Sequence, residues 1–154
     1  MTSTAPAPCQ LPSSTEARTP SIRIAAALID DDDGRLLLVR KAGTGVFMQA
    51  GGKIEPGETA VAALRRELLE EIGFALADAD PAYLGRLVAP AANEPGCLVE
   101  AELFHIRASF APEVSAEIAE AGWFARDEAI TLPLAPLTRD RVLPLAATLA
   151  GQYR

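Results

Sequence analysis

A chain of 154 residues, 49% hydrophobic and 23% charged, holds enough apolar side chains for one buried core and is too apolar to be disordered. The formal net charge of −7 argues against nonspecific binding to DNA, RNA or anionic membranes, but not against a small anionic substrate whose charge a metal ion offsets. No apolar run approaches the ~20 residues of a membrane span, and the N-terminus lacks the basic and apolar segments of a secretory signal, so a cytoplasmic location is expected.

Residues 1–20, rich in Thr, Ser, Pro and Ala, read as an unstructured tail, and residues 21–154 as a single domain. β-branched and small apolar residues over 21–29 predict a strand. Asp30-Asp31-Asp32-Asp33-Gly34 is a hairpin turn and not a calcium loop, because it lacks alternating ligands and a closing glutamate. A second strand over 35–41 is apolar on both faces at Leu36-Leu37-Leu38-Val39, which places it centrally. A short strand over 46–50 leads into the glycine-rich loop 51–57, whose glycines and Pro56 carry turn chemistry. Glu58 or Thr59 opens a helix that Gly73 closes.

With each helical residue advancing about 100°, Glu70 lies at roughly −60° and Glu71 at roughly +40° from Glu67. Three carboxylates then share one arc, beside a stripe of Val61, Leu64, Leu68 and Ile72 expected to face the core. Like charges at this spacing repel. Arg66 can reach Glu70 as one compensation, and a hard divalent cation is a stronger one.

Beyond the helix, 75–81 is a loop, and 83–90 and 97–108 form a strand pair joined through Asn93-Glu94-Pro95-Gly96. Residues 111–122 read as an acidic loop or short helix carrying Glu113, Glu117 and Glu120, followed by a strand at Trp123-Phe124. A helical turn at 126–130 precedes a break at 133–136. Thr138 is expected to cap a final helix over 139–152, with Val142, Leu145, Ala146 and Leu149 inward and Pro144 as a kink. Cys9 and Cys97 show no metal or redox spacing and are expected as free thiols.

Gly52, Glu58, Arg66-Glu67, Leu68, Glu70-Glu71, Gly73 and Phe74 satisfy the pattern G-x5-E-x7-R-E-U-x-E-E-x-G-U, with U a bulky apolar residue. A chance match in this length is rarer than about one in a million. The segment resembles the Nudix box, and the chain resembles the Nudix hydrolases of the MutT-like kind. The resemblance implies an α/β fold, an α/β/α sandwich around a mixed sheet, with a loop-helix-loop catalytic motif. It also implies metal-dependent hydrolysis of the pyrophosphate bond in a nucleoside diphosphate linked to another group, with Mg²⁺ or Mn²⁺ as cofactor. Glu67, Glu70 and Glu71 match the family's metal-binding glutamates, and a carbonyl at Gly51 or Gly52 would complete the shell. Arg66 and Glu58 match the residues that orient those carboxylates and steady the loop.

The general base stays open between a box glutamate, Glu70 or Glu67, and a later acid, Glu117 or Glu120. Arg40 and Lys41 end a strand where similar enzymes place phosphate-binding basic residues. Phe47, Phe104 and Trp123 could stack on a base, but aromatics on strands more often pack in a core; His105 reads as a packed or surface histidine. A nucleoside triphosphate or related nucleotide is the expected substrate. The alternative is ADP-ribose or a nucleotide sugar, hinted at by Pro90, sixteen residues beyond the box. A silent nucleotide-sensing domain would have lost box glutamates, and this chain has lost none. The expected partner is a small nucleotide, not nucleic acid or membrane; many relatives are homodimers. Many relatives also carry Pro-Gly-Gly where this chain has Ala50-Gly51-Gly52.

Overall fold

The computed structural model describes residues 20–76, 81–115 and 117–152. Seven strands form one mixed sheet: β1 (Ser21–Asp30), β2 (Leu36–Lys41), β3 (Phe47–Met48), β4 (Gly51–Lys53), β5 (Ala82–Pro90), β6 (Leu98–Arg107) and β7 (Ile118–Phe124). β1 and β6 run parallel along their whole length, from Ser21 opposite Leu98 to Asp30 opposite Arg107, and the other pairs are antiparallel. β1 touches β2 only at Asp30 and Leu36; further back its edge is taken by β4, while β2 turns away to pair with β7.

Both faces of the sheet are covered, because Ala25 to Ile29 of β1 and Leu36 to Val39 of β2 are apolar at every position and buried on both sides. Ala25, Ala27 and Ile29 of β1, with Leu37 and Val39 of β2, pack on helix α1 (Ala60–Ile72) through Leu64, Leu68 and Ile72. Ala26 and Leu28, with Leu36 and Leu38, pack on the C-terminal helical segment through Leu137, Val142, Ala146 and Leu149. The result is the expected α/β/α sandwich. Among the described residues no helix is long and apolar enough to cross a membrane.

Helix α1 starts where Thr59, in extended backbone, accepts a hydrogen bond from the Ala62 amide at 3.1 Å, and it stops at Gly73, which is left-handed at φ 69°. Thr59→Ala is expected to cost about 1 kcal/mol, read as a lower urea midpoint at unchanged slope.

Several sequence expectations need correction. Val61 is 36% exposed, so the buried stripe of α1 is Ala63, Leu64, Leu68 and Ile72. The glycine pair is not loop: Gly51 and Gly52 lie in β4, opposite Ala26 and Ala25. The strand before it shrinks to Phe47–Met48, while the strand ending at Phe124 starts already at Ile118, drawn out by pairing with β2. The final helix begins with a π-helical turn over Thr138–Val142, in which Leu143 donates to the Thr138 carbonyl, and continues as the helix Leu143–Gln152. That wider turn comes just before Pro144, the position where a regular helix would miss a donor. Thr138 does not cap the helix with its side chain; it is fully buried and donates to Gln49. Cys97 is disulfide-bonded, not a free thiol. The expectations for Cys9, the tail over 1–19 and the middle of the loop over 75–81 lie outside the described residues.

The aspartate turn is closed as a hairpin, with Asp31 Oδ1 accepting from the Asp33 and Arg35 amides and Gly34 at φ 79°. His105 is packed: it is 8% exposed and its Nε2 lies 2.8 Å from Asp30.

Candidate active site

The segment over residues 111–115 docks on the C-terminal end of α1, with Glu113 and Ser115 amides donating to the Ile72 and Glu71 carbonyls. Just beyond it the chain is joined to the end of β2, where the Ala42 amide donates to the Glu117 carbonyl at 2.8 Å. The helix, β4, the end of β2 and the start of β7 therefore meet at one place. That place holds the box carboxylates.

Glu71 is 2% exposed, and its Oε1 accepts from the Gly51 amide at 3.0 Å. Lys41 Nζ stands 3.8 Å from its Oε2. Burial pushes this carboxyl up to about 7, against the pull of the Gly51 amide and of Lys41, and the charges of Glu67 and Glu117 push it in the same direction as burial. Glu117 is thus within electrostatic reach of the cluster although its side chain is exposed. Glu67 lies against Gly52, where any β-carbon would fall inside its carboxylate.

Arg66 organises the approach. Its Nε and Nη2 donate to the two Glu58 oxygens at 3.0 and 2.9 Å, Nη2 also donates to the Lys53 carbonyl at 3.0 Å, and Nη1 donates to Glu67 at 2.7 Å. This fork holds Glu58 down to about 2, helped by the Glu55 amide that Glu58 also accepts. One planar guanidinium therefore ties the glycine strand, the helix entry and a box carboxylate together. Lysine cannot reproduce that fork. Arg66→Lys is expected to cut turnover about 10- to 100-fold through loss of carboxylate orientation, with the cation concentration for half-maximal rate raised.

Glu70 stands apart from this grip. Its side chain is 59% exposed and only 3.8 Å from Arg66 Nη1, so the expected Arg66–Glu70 pairing is the weakest that Arg66 makes on the helix. Among the described residues no three acidic, His or Cys side chains form a ready coordination shell. The donor set nevertheless fits a hard divalent cation. A buried carboxylate with a raised protonation point, next to a second carboxylate on the same helix, offers the hard oxygen donors such an ion takes.

The other predicted contacts divide clearly. Lys41 points into the cluster. Arg40 does not: its Nε and Nη2 hold Glu120 at 3.0 and 2.7 Å and its Nη1 donates to the Thr44 carbonyl at 2.9 Å. That pairing also occupies Glu120, the alternative to Glu117. Phe47 and Phe104 are buried at 7% and 4%, and Trp123 is partly buried and donates to the Phe110 carbonyl, so all three are spent on packing.

A cleft leads away from the glycine pair on the opposite face of the sheet from α1. Ile22, Ile24 and Val99 line its floor, Met48 and Leu137 stand to one side and Pro90 and Asn93 to the other. Lys41, Gly51 and Gly52 also line it, so it reaches the lysine and the backbone amide that contact Glu71. Gln49, the residue just before Ala50-Gly51-Gly52, lines it too. Its role depends on Thr138, 89 positions away, and no local pattern could have shown that.

A family model described as NUDIX domain matches residues 20–146. The chain is 33% identical over 124 residues to the CTP pyrophosphohydrolase of Escherichia coli (strain K12), covering 75% of this chain and 84% of that protein. It is 38% identical over 63 residues to the 8-oxo-dGTP diphosphatase of Haemophilus influenzae (strain ATCC 51907 / DSM 11121 / KW20 / Rd), covering 38% of this chain and 46% of that protein. The crystal structure of the MutT protein from Methanosarcina mazei Go1 superposes with a TM-score of 0.70 at 20% identity, over 90% of this chain and 99% of that one, a likeness of fold.

Proposed function

Because the chain belongs to the NUDIX family, and so is a hydrolase of pyrophosphate bonds, we propose that it cleaves nucleoside triphosphates to the monophosphate and pyrophosphate. Glu67, Glu70 and Glu71 would hold Mg²⁺ or Mn²⁺, with the Gly51 carbonyl beside them. The observation that carries this reading is the buried Glu71, 2% exposed, accepting from the amide of Gly51, a residue that lines the cleft. Similarity to the CTP pyrophosphohydrolase over 84% of its length supports a triphosphate over a nucleotide sugar.

A bound divalent cation would supply Lewis acidity to the phosphate oxygens and to water at neutral pH. The chain's own part is positioning and charge. Arg66 keeps Glu67 in place, Glu58 keeps Arg66 in place, and Lys41 offsets the negative charge beside the phosphates. Glu70, the least constrained box carboxylate, is the proposed acceptor of the water proton, and Glu117 the loop acid that completes the cluster. Attack by that water on phosphorus breaks the bridge between the α- and β-phosphates, giving the monophosphate and pyrophosphate.

The test is a panel of CTP, UTP, GTP, ATP, ADP-ribose and nucleotide sugars with Mg²⁺ or Mn²⁺, products separated by anion exchange. Triphosphates are expected to give monophosphate and pyrophosphate; faster turnover of ADP-ribose or of a sugar nucleotide would overturn the substrate assignment.

A further inference from the structure

Gln49 lies between β3 and β4, two residues from the Gly51 amide that binds Glu71, and is only 6% exposed. Its Oε1 accepts from the Thr138 hydroxyl at 2.6 Å, and Thr138 is completely buried. The Thr138 hydrogen thus fixes which end of the carboxamide faces inward. Among the described residues the Nε2 hydrogens have no protein acceptor, yet no sealed side-chain nitrogen or oxygen lacks a partner. Nε2 must therefore reach solvent, and the space beside it is the cleft that Gln49 lines.

A ring that fills the slot displaces the water around Nε2, so a ring that supplies no acceptor there leaves the donors unpaired. The slot around it is formed by Ile24, Met48, Val99 and Leu137, flat apolar surface suited to a heterocyclic ring. Gln49 and Gly51 are two residues apart, at most roughly 7 Å along the chain, so a ring beside Gln49 brings its phosphates toward Gly51, whose amide holds Glu71.

We propose that Gln49 is a specificity-determining residue: its amino group, held outward by Thr138, donates to a ring carbonyl oxygen of the substrate's base. Cytosine, uracil and guanine carry such an oxygen and adenine carries none. Adenine offers this donor only ring nitrogens, which lie nearer the ring than an exocyclic oxygen, so a donor placed for the oxygen pairs less well with adenine. The inference rests on the cleft being the nucleotide site of the proposed hydrolase.

The ratio of kcat/KM for CTP to that for ATP tests it, because a general loss of folding or catalysis cancels in the ratio. The wild-type ratio is expected at about 10 to 100. Gln49→Met, similar in volume and without donors, brings it to about 1, mainly through KM for CTP. Thr138→Val, which frees the amide to turn, lowers the ratio part of the way. A ratio unchanged in Gln49→Met, or a wild-type preference for ATP, overturns the proposal while leaving the hydrolase reading intact. Wild-type protein that hydrolyses none of the four nucleotides overturns both.

Discussion

Replacing Glu71 by glutamine is expected to reduce hydrolysis about 1000-fold and, in metal-free protein, to raise stability above neutral pH. The loss follows from removing a charged oxygen where phosphate charge must be balanced, an effect of the size seen when one preorganised electrostatic group is deleted. The gain follows from burial. Glu71 titrates near 7 in the folded chain against 4.5 as an ordinary glutamate. Between those values the folded protein holds a proton that the unfolded chain releases, so stability falls as pH rises through this window and levels off above it. The deficit at pH 8 is about 3 kcal/mol, and glutamine, neutral throughout, escapes it while its carbonyl oxygen can still accept from Gly51. Urea melts at pH 4 and pH 8, without metal, should show the variant and wild type alike at the lower pH and the variant more stable at the higher. A variant no more stable at pH 8 would mean that Glu71 is not held protonated by its surroundings.

The second large effect falls on the strand beside it. Gly51 has φ 150°, and a β-carbon there would overlap the Ala25 carbonyl oxygen and the Ala26 α-carbon. Both obstacles are backbone of the central strand β1, so neither can step aside. Gly51→Ala is expected to cost about 3 kcal/mol, a fall in Tm of roughly 10 °C. At Gly52 the obstacle is the Glu67 carboxylate, the far end of a flexible side chain. Gly52→Ala is therefore expected to melt near the wild-type temperature while losing most of its activity. Calorimetry and a turnover assay on the two variants separate these outcomes; equal melting temperatures would contradict the role given to close backbone approach at Gly51.

These two glycines also show where sequence reading works and where it stops. The spacing of Glu67, Glu70 and Glu71 in the 3.6-residue period, the Thr59 cap and the Gly73 stop are local properties, so the helix and the fold class could be read from the chain. The sandwich was legible for a similar reason: Leu36 to Val39 is apolar at every position, and such a strand needs cover on both faces. The glycine pair looked like loop because its partner, β1, lies more than twenty residues earlier. The unequal surroundings of the three glutamates were equally hidden. Glu71 is sealed by the docking of β4 and of residues 111–115, whereas Glu70 faces outward on the same helix. Arg40 and Lys41 are neighbours in sequence on opposite sides of a strand, so one turns to Glu120 and the other to Glu71.

The central claim is that Glu71 and its neighbouring carboxylates bind a divalent cation beside the cleft. Titrating Mn²⁺ into the protein, with a non-hydrolysable CTP analogue present and free ion followed by electron paramagnetic resonance, measures it directly. Wild type is expected to take up Mn²⁺ with a proton released at pH 6.5, because Glu71 is largely protonated there when no ion is bound. Glu71→Gln is expected to bind at least about tenfold more weakly and to release no proton. Equal Mn²⁺ uptake by wild type and Glu71→Gln, or none by either, would contradict the account.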